Sequence, residues 1–191
     1  MWKIFLRAFL LLCAMTLLTG VLYPLVVIGL AQLCFPNQAN GSLVRNHGKV
    51  IGSALIGQDF RAPQYFHGRP SAANYDGTAS GGSNLGPTNR KLIKAVAGNA
   101  AAVRKENGLP AGRAIPSDLV TASASGLDPH ISPEGALLQV PRIAEARKLT
   151  VESVRRLVRQ NTEYPLLGLF GAPRINVLRV NLALDSLQNG G

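Results

Sequence analysis

The chain of 191 residues is short of cysteine, acid and histidine, and each shortage removes a class of chemistry. Its two cysteines, Cys13 and Cys34, lie 21 residues apart in one apolar run. That spacing is roughly 30 Å along a helix, far beyond the few ångströms a disulfide spans, so they cannot pair with each other. Everything after Phe35 is free of thiols, which excludes a disulfide framework and a thiolate metal site there. His47, His67 and His130 are scattered singly, without the local spacing that brings imidazoles onto one ion, and the sequence predicts no metal site. No G-x-S-x-G elbow occurs for a serine nucleophile, and no internal repeat is visible. Gly52 and Gly57 have the glycine spacing of a phosphate-binding loop, but Gln58-Asp59 stand where lysine and a hydroxyl are required, so the match is chance.

What is present first is apolar length. Residues 8–35 contain no Asp, Glu, Lys or Arg, and Thr16, Thr19 and Gln32 are their only clearly polar side chains. About 20 residues already cross a hydrocarbon core of roughly 30 Å, so the run predicts one transmembrane helix at 1–35. Pro24 removes a donor inside it and predicts a kink whose freed carbonyl a packing partner or water can satisfy. A cleaved signal peptide is the competing reading, because Lys3 and Arg7 precede the apolar stretch. Against it, the run far exceeds the about 7–15 residues of a signal core, and no A-x-A site follows. Bulky Leu12 and Leu33 before the two cysteines argue equally against lipoprotein processing. For orientation, Lys3 and Arg7 face Arg45 and Lys49 across the run; the first pair lies closer to the membrane, and long following domains translocate largely regardless of charge. The sequence thus favours an N-terminus in the cytoplasm and residues 36–191 outside.

Residues 36–191 are long enough for one domain with its own core. Eighteen Lys and Arg against ten Asp and Glu give them +8, which draws them to anionic lipid, phosphates or an acidic partner. The expected fold class is α+β: one transmembrane helix, then a single soluble mixed domain. Residues 36–46 read as a polar exit from the membrane and 49–57 as a strand. In residues 59–87, Phe60, Tyr65, Phe66 and Tyr75 are interspersed with proline and glycine and no period survives, which predicts a long loop docked on something. A helix capped by Thr88 or Asn89 should run to Lys105 with Leu92, Val96, Ala100 and Val103 as its apolar stripe. Residues 119–123 read as a second strand. Ser132 should cap a helix opened by Pro133 and Glu134, and Thr150 another that buries Val151, Val154, Leu157 and Val158. Residues 174–184 fit strand or helix, with the weight on helix.

Candidate site residues fall in two stretches. Ser80-Gly81-Gly82-Ser83, with Asn84 beside it, can offer amides and hydroxyls to an anion, although such small residues more often form a turn. Asp128 and His130, separated by a proline, can form an acid/base pair, although such residues more often cap a helix or touch a partner. Nothing in the sequence constitutes a catalytic site, and a basic domain on a kinked anchor reads as an accessory subunit.

The stretches Gly68-Arg69-Pro70-Ser71-Ala72, Gly81 to Asn89, Thr121 to Pro133 and Pro173 to Leu178, together with the anchor, resemble the C subunits of bacterial Kdp potassium-transporting P-type ATPases over essentially the whole chain. The resemblance implies a non-catalytic subunit of an inner-membrane pump. Its partners would be a channel-like potassium-selecting subunit, an ATP-hydrolysing subunit and membrane lipid. Nucleic acid, suggested only by the charge, is disfavoured by the anchor. The resemblance further implies a catalytic chaperone that raises the ATP affinity of the hydrolysing subunit, with no covalently bound cofactor and ATP contacted jointly with that subunit. The alternative is a structural external subunit bracing the potassium-selecting one, without nucleotide contact. In the first case Ser80, Gly81, Gly82, Ser83, Asn84, Asp128 and His130 would meet nucleotide or partner; in the second they meet a partner alone.

Overall fold

A computed structural model describes residues 1–46, 48–165, 168 and 171–189, so that His47 lies outside the described residues. The chain falls into two compact units, Met1–Ser53 and Ala54–Gly191.

The first unit is dominated by a continuous helical segment, Trp2–Cys34, long and apolar enough to cross a membrane. Helix α1 (Trp2–Leu17) passes through a π turn (Leu18–Leu22) into α2 (Tyr23–Cys34). A widened turn therefore lies just ahead of Pro24, where the proline ring would otherwise meet the preceding turn's carbonyl. None of these residues is buried, which suits hydrocarbon surroundings or the helices of a partner. The polar stretch that follows is more ordered than its composition suggests. It holds a short helix α3 (Pro36–Ala39) and strand β1 (Leu43–Asn46), antiparallel to β2 (Lys49–Ser53) with a register shift between Val44 and Arg45. The expected strand at 49–57 thus stops at Ser53, and its partner comes from residues taken to be loop.

The second unit combines helices with a small sheet. No helix or strand occurs from Ala54 to Asn89, and the missing period predicts this for residues 59–87. Helix α4 (Arg90–Glu106) starts where Asn89 Oδ1 accepts the Lys91 amide at 2.8 Å, and its expected stripe is half-buried. Residues 119–123 do not form a strand: Ser117–Leu119 is a 3₁₀ turn, and the Ser117 carbonyl accepts both the amide and hydroxyl of Thr121. This local bonding wins over the β propensity of Val120 and Thr121. Helix α5 (Pro133–Arg147) is capped by Ser132 Oγ, which accepts the Gly135 amide at 2.9 Å. It continues unbroken past Pro141, whose exposure lets water reach the carbonyl left without its N–H. Helix α6 (Val151–Gln160) is capped by Thr150 and buries Val154, Leu157 and Val158, while Val151 at its first position stays exposed.

The short strands β3 (His130–Ile131) and β4 (Thr162–Glu163) flank β5 (Arg174–Asn176), both antiparallel to it. Residues 174–184 are therefore strand and then helix, α7 (Val177–Asn189), which buries Val177, Val180, Asn181 and Leu184 at helical spacing. Ile131 and Ile175 from the sheet join Val140, Ile143, Val154 and Val158 from α5 and α6 in one core.

The aromatic loop is docked on this core. Phe66 is fully buried in it, and the Tyr65 ring lies under the Arg147 guanidinium at 4.8 Å from its centroid. What fixes the loop is a pair of side-chain amides that act as strand mimics. Asn181 of α7 accepts the Phe66 N–H at 2.8 Å and donates to its carbonyl at 3.0 Å. Gln139 of α5 does the same for His67, at 2.8 and 3.2 Å. Buried Arg142 donates to the carbonyls of Pro63 and Tyr65, and buried Arg147 to that of Gln64. A loop without a ladder of its own thus has its buried backbone groups paired by helix side chains.

Candidate functional site

The small-residue stretch packs on residues 124–126, just ahead of Asp128 and His130 in the chain. The Gly81 amide donates to the Ser125 carbonyl at 2.8 Å, and Ser80 Oγ donates to the same oxygen at 3.1 Å. Ser71 Oγ donates to the Gly126 carbonyl at 2.6 Å and accepts the amides of Ala73 and Tyr75. Glycines are needed where the segments cross: a Cβ at Gly82 would sit 2.8 Å from the Ala124 carbonyl oxygen, and one at Gly57 2.7 Å from that of Asp128. Gly126 combines a φ of +67° with a would-be Cβ 2.7 Å from the Gly81 oxygen. Gly126→Ala should therefore cost about 2–4 kcal/mol, from left-handed backbone strain plus overpacking. A denaturant midpoint of the full chain in detergent measures it, and a midpoint equal to wild type would show that the crossing is not held this closely.

Beyond Gly126 the chain reaches the candidate acid/base pair. Asp128 Oδ2 lies 3.0 Å from Arg69 Nη1, while Oδ1 accepts the His130 amide at 3.0 Å and lies 3.4 Å from ring Nδ1. These side chains are only a quarter or so exposed. The His130 ring, aided by the His130 amide and Arg69 and opposed by partial burial, holds the Asp128 carboxyl down at about 2, well below its usual 3.8. Because the folded value is the lower one, this group's stabilisation is full above about pH 4 and is lost as pH falls towards 2. The deficit of Asp128→Asn against wild type should be on the order of 1–2 kcal/mol at pH 6, after allowing for solvent screening, and should shrink steadily below pH 4. Urea titrations of both proteins at pH 6, 4 and 3 test this; a gap that stays constant over that range would contradict it.

This geometry favours holding the chain over catalysis. Asp128 is committed to Arg69 and to the turn that leads into β3. Among the described residues no serine or threonine hydroxyl is hydrogen-bonded to the His130 ring, so no nucleophile is set up there. His67 is placed elsewhere, its Nδ1 2.9 Å from Glu106 and its Nε2 3.0 Å from the Ala62 carbonyl. Of the small-residue stretch, Ser80 and Gly81 are turned onto the 123–127 segment, whereas Ser83 and Asn84 stay exposed and Asn84 adopts a φ of 52°.

Asp128 and His130 line one wall of an open cleft of about 1250 Å³. Its other residues are Arg69, residues 112–118, Ile131 and Ser132, Glu134, Leu137 and Leu138 of α5, Arg155 of α6, and residues 172–174. Sequence reasoning missed Arg69, Arg113, Arg155 and Arg174 as site residues, because arginines spread over a hundred positions share no spacing. The one available hint was the outward-facing arginine side of α6.

The fold and site define a class: a basic α+β domain with a loop-built cleft, on a chain whose first helix is long enough to cross a membrane. Residues 5–186 match the family described as KdpC, the c chain of the K⁺-transporting ATPase. Similar proteins are the potassium-transporting ATPase KdpC subunits of Nitratidesulfovibrio vulgaris, 58% identical with 88% of this chain and 86% of the relative covered, and of Mycobacterium bovis, 54% identical with 95% and 97% covered. That of Gemmatimonas aurantiaca is 57% identical, with 92% and 88% covered. The chain belongs to the KdpC family.

Proposed function

We propose that this chain is a non-catalytic accessory subunit of an ATP-driven potassium uptake pump, anchored in the bacterial inner membrane by Trp2–Cys34, with its soluble domain on the outer side. It is required for assembly and for coupling ATP hydrolysis to potassium import. Its partners are the potassium-selecting and ATP-hydrolysing subunits, and lipid surrounds its helix. The observation that carries this reading is family membership over nearly the full length, shared with relatives named as subunits of the potassium-transporting ATPase.

Any chaperone effect on ATP affinity is then exerted through coupled conformations of the pump rather than by shared contact with the nucleotide. Two features favour this. The Gly81 amide and Ser80 hydroxyl, the donors most suited to a phosphate in that stretch, already bond to Ser125. An external domain, moreover, does not meet cytoplasmic ATP. The reading is tested by purifying the pump with and without this chain. Loss of potassium-stimulated ATPase when it is omitted, restored by adding it back, is the expected outcome. Equal activity and equal recovery of the other subunits without it would overturn the proposal.

A further inference from the structure

The cleft has a chemistry that Asp128 and His130 do not explain. Part of its lining is apolar: Ile115, Leu138 and Pro173 belong to it, and Leu137 stands 42% exposed among them. The cleft also holds Arg113 and Arg155, both exposed, and neither lies within ion-pair distance of a carboxylate among the described residues. Arg155 is nevertheless close enough to Glu152 to add to the lowering of its pKa that the bond from Arg159 mainly causes. Arg174 adds a third cation, shared with Glu163 at 3.1 Å.

The cleft's three acids offset most of its four arginines and leave the lining one net positive charge. Asp128 is bound to Arg69, and Asp118 Oδ2 accepts the Ser132 amide at 2.6 Å. Glu134 sits in the first turn of α5, where its charge faces the positive end of that helix. The lining therefore keeps a small net positive charge beside its apolar residues. At about 1250 Å³ and open to solvent, the cleft exceeds the roughly 300–1,000 Å³ of enclosed small-molecule sites. Size, openness and charge together suit an extended polypeptide that lays an apolar side chain against Leu137 and places carboxylates near Arg113 and Arg155.

We propose that this cleft is the docking site for an acidic, extended segment of another subunit of the pump. The proposal rests on the accessory-subunit reading and adds to it the surface used and the charge of what it receives. Arg113 and Arg155 are exposed, so altering them leaves the core untouched. A double variant, Arg113→Glu with Arg155→Glu, should lower recovery of this chain on the purified pump about tenfold at low salt. Arg113→Lys with Arg155→Lys should stay within about twofold of wild type, and raising the salt should weaken the wild-type association.

A photo-reactive benzoylphenylalanine in place of Leu137, in the full chain within the assembled pump, supplies the second readout. A cross-link to a partner-subunit segment rich in Asp and Glu, lost in the charge-reversed variant, is the expected result. Unchanged recovery of the charge-reversed variant overturns the docking site, as does cross-linking only to lipid, only to a second copy of this chain, or to nothing. In all those cases the wild-type chain still assembles and the accessory-subunit reading stands. If the wild-type chain itself fails to co-purify with the pump, both readings fall together.

Discussion

Replacing Arg142 with methionine is expected to destabilise the soluble domain by about 3–5 kcal/mol, because several buried acceptors lose their charged donor at about 1–3 kcal/mol each. Arg142 is 9% exposed and bonds to the carbonyls of Pro63 and Tyr65, to Gln139 Oε1 and to Asn107 Oδ1. Burial pushes its guanidinium pKa down while nearby Glu106 pushes it up, so the charge is kept at a desolvation cost that these acceptors offset. Methionine fills much of the space but bonds to none of them. Two loop carbonyls and the acceptor of the Gln139 clamp are left without this donor. In a domain of this size the loss corresponds to a fall in Tm on the order of 10 °C, readable by circular dichroism of the full chain in detergent. A fall of less than about 2 °C would mean that the loop does not depend on this arginine.

Asn181→Leu should cost about 2–5 kcal/mol by a related route. Asn181 is 1% exposed and pairs with both backbone groups of Phe66. Leucine is close in shape but leaves a buried N–H and a buried C=O unpaired, each costing about 1–3 kcal/mol. Since Asn181 and Arg142 hold neighbouring parts of one loop, their effects should not add. Once either is lost the loop is partly released, and the double variant should lose at least about 0.5 kcal/mol less than the sum of the single losses. Denaturant midpoints of the three variants give the cycle, and strict additivity would show two independent anchors instead of one docked loop.

These two residues mark where the sequence stopped being legible. The membrane-length helix, the three caps at Asn89, Ser132 and Thr150 and the helical stripes of α4 and α6 follow from local rules and could be read directly. The loop at 59–87 could be read as structureless, and its aromatics as docked, but the means of docking could not. Clamps such as Asn181 on Phe66 or Gln139 on His67 join residues 115 and 72 positions apart, and no periodicity encodes such a pairing. The short strands failed for a similar reason. Two- or three-residue strands such as β3 and β5 are made by pairing His130 with Asn176 and Ile131 with Ile175, too briefly for alternation to show. Residues 119–123 mislead in the opposite sense, since β-branched residues suggested a strand that the Ser117 carbonyl turned into a 3₁₀ bend.

The candidate site was half legible. Asp128 and His130 were singled out and do interact, and the stretches that carry the family resemblance converge: Arg69 on Asp128, Ser71 on Gly126, Ser80 and Gly81 on Ser125, and the Val177 amide on the Pro129 carbonyl at 2.9 Å. Their unusual composition has a common cause. Loops that pack on loops need glycine where backbones cross and short polar side chains where carbonyls must be paired. The arginines of the cleft lay beyond local reading because they are brought together from positions 69, 113, 155 and 174.

The most direct test of the whole account is the side of the membrane on which the soluble domain lies, since that decides whether ATP can reach it. Protease added to right-side-out vesicles containing the intact pump should digest the domain and leave the Trp2–Cys34 helix in the membrane. Protection there, with digestion only in inverted vesicles, would place the domain beside cytoplasmic ATP and contradict an action exerted from outside.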